Sequence, residues 1–176
     1  MNRDKIRVLF SADQIAERQK AMAAEIAASN PERLLVIAVL KGSFVFAADL
    51  IRAMDAAGMA PEVEFMSLSS YLEGTVSSGT VRVVHDIESP VAGRDVLLVD
   101  DILESGRTLT YAKDLLMARG ARSVKTCVLL EKPGKRAVHL IPDLVGFTCP
   151  DVFVVGYGMD VAHAWRQLPF VGVIED

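Results

Sequence analysis

The chain has few of the residues that mark extracellular, metal-built or membrane proteins. Only two cysteines, Cys127 and Cys149, occur in 176 residues. They form neither a CxxC pair nor a Cys/His metal spacing, and free cysteines usually pack as small buried hydrophobes. The three histidines, His85, His139 and His163, are scattered and add no metal-like spacing. Positive charge is not in excess. The net charge of −4 argues against a nucleic-acid binder but leaves room for a local basic pocket for phosphates. Long hydrophobic runs are missing too: the most apolar stretch, 34–50, contains Lys41 and Asp49, whereas a membrane span needs about 20 residues with few charges. Met1-Asn2-Arg3-Asp4-Lys5 leads into a short apolar run, unlike a signal peptide, so the expected location is the cytoplasm. There is no P-loop either, since GxxxxGK followed by Ser or Thr is absent.

What is present is a globular composition, 51% hydrophobic and 24% charged, with enough apolar material for one core. Ser11-Ala12-Asp13-Gln14 fits a capping box and opens a helix expected to end at Ala28, before Asn30-Pro31. Residues 34–40 form a continuous apolar run, the pattern of a strand covered on both faces. A helix is expected over 44–57, ended by Gly58, then a strand over 63–68. Residues 71–80 hold Gly74, Ser77, Ser78 and Gly79 and are expected to form a mobile loop before a strand at 81–85. Strand 96–99, helix 108–119 and strand 124–130 follow. Strands alternating with helices imply a mostly parallel sheet with helices on both faces. After Pro133 the apolar segments shorten to 144–147, 152–155 and 171–174, which predicts a small, partly β accessory lobe.

The stretch with the most chemistry runs from Val96 to Leu109. An apolar strand leads into Asp100 and Asp101, then into the turn Glu104-Ser105-Gly106-Arg107-Thr108 at the start of a helix. In doubly wound sheets, ligands bind at the carboxyl ends of strands. A turn at a helix N-terminus offers unpaired N–H groups and a positive dipole end, which suit a phosphate monoester. Gly106 lets the backbone approach closely, and Ser105 and Thr108 add hydroxyls. Asp100 and Asp101 are acceptors, suited to sugar hydroxyls or hydrated Mg²⁺. The residue types by themselves fit a second arrangement, in which the acids cap a loop and Ser105 caps the helix.

Leu98 to Leu109, LVDDILESGRTL, resembles the phosphoribosyl-pyrophosphate signature of the type I phosphoribosyltransferases. Upstream, Val39-Leu40-Lys41-Gly42-Ser43 is similar to the pyrophosphate loop of their hypoxanthine–guanine branch. Downstream, Phe153 to Asp160 is similar to the purine-binding segment, and Lys132 matches the lysine that reads the purine 6-oxo group. Asp143 to Phe147 and Arg166 also match in order, so the resemblance spans nearly the whole chain.

The resemblance implies an α/β fold of the type I phosphoribosyltransferases. Residues 1–176 would form a single domain, with a core over about 30–132 and a hood built from the N-terminal segment and about 133–176. It implies a purine-salvage enzyme that moves the 5-phosphoribosyl group from phosphoribosyl pyrophosphate to hypoxanthine or guanine. Glu104, Ser105, Gly106, Arg107 and Thr108 would cradle the 5′-phosphate. Asp100 and Asp101 would hold the ribose hydroxyls, directly or through Mg²⁺. Leu40, Lys41 and Gly42 would wrap pyrophosphate, often with a non-proline cis peptide, and Arg166 would add a cationic contact. Asp160 would bind a second Mg²⁺. Phe153 would stack on the purine, Lys132 would donate to its 6-oxo oxygen, and the Val154 backbone would meet its 2-position edge. Ser70 and Tyr71 would start the loop that closes over the reacting sugar. The chain departs from the family pattern at Glu104, where aspartate is usual opposite the purine N7. The expected assembly is a homodimer or homotetramer, without nucleic-acid or membrane partners. Two other readings compete. A non-enzymatic regulator on this fold would show a basic patch or a lost purine segment, and the net charge of −4 and the intact run from Phe153 to Asp160 argue against it. An adenine enzyme would not need Lys132, whereas a xanthine enzyme is not separated from the hypoxanthine–guanine reading by the sequence.

Overall fold

The structure is a computed structural model that describes residues 3–73 and 76–175, without the side chains of Asp4 and residues 70–80. Strand β1 (Ile6–Phe10) is followed by helix α1 (Ala12–Ala28), β2 (Leu35–Leu40), α2 (Phe44–Ala56), β3 (Glu62–Glu73) and β4 (Val76–His85). Then come β5 (Asp95–Leu103), α3 (Arg107–Ala118), β6 (Ser123–Glu131), β7 (Leu144–Thr148), β8 (Val154–Val155) and β9 (Val171–Ile174). The six-stranded sheet has the order β4-β3-β2-β5-β6-β7. All its pairings are parallel except β3–β4, which is antiparallel. A second, three-stranded sheet has the order β1-β9-β8.

Local chemistry accounts for the elements. Ser11 Oγ accepts from the Gln14 N–H while Gln14 Oε1 accepts from the Ser11 N–H, the reciprocal capping box that starts α1. The central strands are apolar on both faces because both faces are covered. Strand side chains alternate. Val36 and Ala38 of β2 and Leu97 and Val99 of β5 therefore pack with α1 and α2. Leu35, Ile37 and Val39 of β2 and Val96 and Leu98 of β5 pack instead with Leu109, Ala112 and Leu116 of α3. Ile6, Val155 and Leu168 form a separate small core under the three-stranded sheet.

Two expectations are corrected. Residues 144–147 do not belong to the accessory lobe. They lie in β7, which pairs parallel to β6 with Cys127 opposite Leu144 and Leu130 opposite Phe147. Their short, interrupted apolar pattern reads as peripheral because β7 is an edge strand, half-buried along its middle. The stretch expected as a loop over 71–80 extends the two arms of a hairpin instead. Pairing runs past Ser70–Val81 to Leu72–Ser77 and Glu73–Val76, so backbone hydrogen bonds take over where apolar anchors are scarce. Gly74 and Thr75 lie outside the described residues, as do the side chains of Ser70 and Tyr71.

Candidate active site

The site lies at the carboxyl ends of β2 and β5, and strand alternation explains its two halves. Asp100 continues the row of Val96 and Leu98, toward α3. Asp101 continues the row of Leu97 and Val99, toward α2. Asp100 accordingly lines a pocket of about 190 Å³ with Glu104, Ser105, Gly106 and Thr108. Asp101 lines a separate cleft of about 530 Å³ with Leu40, Lys41, Gly42, Phe153, Val154, Asp160 and Arg166. Two neighbouring carboxylates thus serve two adjoining hollows.

The smaller pocket is a turn at the N-terminus of α3. Gly106 has φ 81°, a left-handed conformation that glycine adopts without penalty. It also lies under Val138 and Arg136, whose nearest atoms would stand 3.1 and 3.3 Å from any Cβ placed there. Ser105 Oγ accepts from the Arg107 N–H at 3.4 Å, and the pocket opens onto the dipole end of the helix. The Arg107 side chain is exposed and does not line this pocket, whose wall on this side is Glu104, Ser105, Gly106 and Thr108.

In the larger cleft the peptide bond between Leu40 and Lys41 is cis. Gly42 packs directly against the Asp101 carboxylate, leaving no space for a Cβ, and Gly158 at φ 99° does the same against the Gly42 carbonyl. The cleft is therefore closed by backbone-to-backbone and backbone-to-carboxylate contacts that only glycine permits. Arg166 binds Asp160 Oδ1 at 2.8 Å and donates to Gly158 O at 2.6 Å. Asp160 Oδ2 accepts from the His163 N–H at 2.7 Å. Phe153 is 60% exposed, an aromatic face held open beside the cleft. The cleft also takes in Ser67 and Leu68 of β3 and Val84 of β4, none of them a sequence candidate for the site, because no linear signal joins those strands to it.

Burial raises the Asp100 carboxyl well above the usual carboxylate range, and the neighbouring Asp101 charge adds to the effect. Burial also raises Asp101, partly opposed by its hydrogen bonds and by the Arg166 field. Two adjacent buried acids with carboxyls raised in this way are the kind of pair that clusters at functional sites.

Lys132 is buried and lines neither hollow as such. It donates from Nζ to Val152 O at 2.8 Å, immediately before Phe153, so the ammonium sits beside the purine segment. Tyr157, in the same segment, is a structural anchor. Its hydroxyl donates to Asp49 Oδ2 at 2.5 Å on α2 and accepts from Gln19 Nε2 on α1. Glu104 is half-exposed, and its carboxylate faces Lys135 Nζ at 3.5 Å. Among the described residues no three His, Cys, Asp or Glu side chains converge as a complete metal site, and no helix is long and apolar enough to cross a membrane. Cys127 and Cys149 are free and buried, as expected.

The chain is also similar to known proteins over nearly its whole length. A family model described as the phosphoribosyl transferase domain matches residues 9–162. The hypoxanthine-guanine phosphoribosyltransferase of Bacillus subtilis is 43% identical over 176 residues, covering 99% of this chain and 96% of that one. Its namesake from Aquifex aeolicus is 43% identical over 174 residues, covering 98% and 96%. The bifunctional protein TilS/HprT of Listeria innocua is 44% identical over 176 residues, and the chain spans 27% of its length. Among solved structures, the hypoxanthine phosphoribosyltransferase of Trypanosoma cruzi in complex with the product IMP superposes with a TM-score of 0.91. It is 35% identical, with 99% of this chain and 97% of that one covered. The Staphylococcus aureus enzyme gives a TM-score of 0.91 at 35% identity, covering 98% and 93%. By motif, fold and whole-length similarity, the chain belongs to the phosphoribosyltransferase domain family, in its hypoxanthine–guanine branch.

Proposed function

We propose that this chain transfers the 5-phosphoribosyl group of phosphoribosyl pyrophosphate to hypoxanthine or guanine, giving IMP or GMP and pyrophosphate, in purine salvage. One observation carries the reading: Asp100 and Asp101 stand between a helix-capped pocket sized for a phosphate and a larger cleft with a basic wall and an exposed aromatic. A sugar phosphate bridging the two hollows would meet both carboxylates with its hydroxyls.

In the reaction the purine N9 attacks C1 of the ribose. The C1–O bond breaks, pyrophosphate leaves with the electron pair, and the N7 proton passes to Glu104. The sugar is cationic and the leaving group anionic at the transition state, so preplaced charges supply most of the catalysis. The turn at 104–108 holds the 5′-phosphate. Leu40, Lys41 and Gly42 bind pyrophosphate, with Arg166 adding positive charge. Phe153 stacks on the purine, Lys132 donates to the 6-oxo oxygen and the Val154 backbone meets the 2-position. Ser70 and Tyr71, in β3, begin the segment that closes over the reacting sugar and keeps water out.

Mg²⁺ fits this site as a proposal. Asp100, Asp101 and Asp160 are hard oxygen donors, with Asp100 buried beside Asp101, and Mg²⁺ characteristically takes one or two carboxylates plus substrate oxygens. When bound it would lower the negative charge of the leaving pyrophosphate. Cytoplasmic location, assembly as a homodimer or homotetramer, and the absence of nucleic-acid and membrane partners belong to the same proposal.

The test is turnover by the purified protein with hypoxanthine, guanine, xanthine and adenine, each with phosphoribosyl pyrophosphate and Mg²⁺. The expected order places the two 6-oxopurines hypoxanthine and guanine first. Preference for adenine overturns the role of Lys132, and preference for xanthine moves the chain to another substrate within the same chemistry.

A further inference from the structure

Lys135 stands between two acids, one beside the segment that begins at Phe153 and one in the turn before α3. Its Nζ is 2.7 Å from Asp151 Oδ1 and 3.5 Å from Glu104 Oε1. Asp151 lies two residues before Phe153, while Glu104 opens the phosphate turn. The backbone that carries Lys135 is tied to that turn as well. Arg136 donates to Glu104 O at 3.0 Å and to Glu131 Oε1 at 2.7 Å. The N–H groups of Ala137 and Val138 both donate to Ser105 O, at 2.9 and 3.2 Å. One short strap therefore holds Glu104 by its carbonyl and faces its carboxylate with an ammonium.

Glutamate has one more rotatable bond than aspartate, so its carboxylate needs an external partner to fix its direction. An exposed ion pair stabilises a fold little, which leaves Lys135 a role in geometry and charge. An ammonium has three donors and no acceptor. It can keep its contact with Asp151 while turning another donor toward the Glu104 carboxylate. From this juxtaposition we propose that Lys135 is a positioning residue that aims the Glu104 carboxylate at the purine and couples the purine segment to the phosphate turn. The inference rests on Glu104 as the proton acceptor.

The test is a double-mutant cycle on the full chain, using single-turnover rates with hypoxanthine, phosphoribosyl pyrophosphate and Mg²⁺. Lys135→Met should lower the chemical step about tenfold, a part of the 10²–10⁴-fold that a placed proton-transfer group supplies. KM for phosphoribosyl pyrophosphate and the thermal midpoint should not move. Lys135→Arg, which keeps the charge, should recover most of the rate. In a Glu104→Gln background, Lys135→Met should have no further effect. An unchanged rate in Lys135→Met, or an equal loss in both backgrounds, overturns the positioning role. If Glu104→Gln by itself keeps the native rate, Glu104 is not the acceptor and the role of Lys135 falls with it. Wild-type turnover in the same assay tests the reaction assignment separately.

Discussion

The backbone of Gly42 lies against the carboxylate of Asp101 so closely that no side chain fits between them. This contact joins the β2–α2 turn to the end of β5 and sets one wall of the cleft. Gly42→Ala should push the Asp101 carboxylate aside. Overpacking of this kind costs about 1–3 kcal/mol. We expect a lower thermal midpoint together with a fall in kcat/KM. A variant with native values for both would show that the turn yields freely.

Asp100 and Asp101, the proposed ligand-binding acids, work against the fold. Each carboxyl is raised by burial, and Asp100 further by its neighbour. Asp100→Asn removes one ionisable member of the pair. The variant should melt at a higher temperature than the native protein in chelator-treated buffer, while kcat/KM falls. The same trade of stability against activity is common where sites hold strained charges. Native kcat/KM in both Asp100→Asn and Asp101→Asn would remove the acids from the site.

Lys132→Ala removes a buried ammonium beside the purine segment. Groups built to meet a substrate oxygen discriminate strongly when lost. Efficiency with hypoxanthine and guanine should drop at least about tenfold, which corresponds to roughly 1.4 kcal/mol. Unchanged efficiency would reduce Lys132 to a brace for Val152, to which it already donates.

At the opposite ends of the strands, Asp95 accepts from Arg122, from Ser123 Oγ at 2.7 Å and from the Glu32 N–H at 2.8 Å. The Arg122 guanidinium, foremost, holds its carboxyl well below the usual range. A depressed folded-state pKa means the stabilisation is present above the ordinary aspartate pKa and lost as pH falls toward the lowered value. Asp95→Asn should cost about 1–3 kcal/mol at neutral pH, the usual penalty for leaving buried hydrogen-bonding groups unpaired. The gap from the native protein should narrow in acid, and turnover should stay native. Melting curves at pH 7 and in acid decide this; a gap that does not depend on pH would mean the charge of Asp95 is irrelevant.

Glu104→Gln should lower kcat by about 10²–10⁴-fold if Glu104 takes the N7 proton, because a positioned proton-transfer group contributes that much. Glu104→Asp should keep substantial activity, although its shorter carboxylate sits farther from Lys135. A stable Gln variant with a normal chemical step would leave Glu104 only a capping charge at the N-terminal turn of α3, worth about 0.3–1 kcal/mol.

The sequence by itself determined the alternation of strands and helices, the capping box at Ser11, and the phosphate turn. Each of these is written in local terms: apolar period, a cap residue with its partner three positions on, a glycine where φ must be positive. The family resemblance implied a single site for Asp100, Asp101, Lys41, Phe153 and Asp160. The sequence did not determine that β7 joins the main sheet, or that residues 71–73 and 76–80 extend a hairpin, because strand pairing depends on a distant partner. Only the tertiary structure decided which hollow each acid serves, through the parity of β5 against the helices on its two faces. It also decided that Tyr157 spends its hydroxyl on Gln19 and Asp49 and that Lys135 faces Glu104. Those contacts join residues 31 to 138 positions apart, a separation at which neither hydrophobic period nor turn chemistry carries information, and packing of whole elements alone brings them together.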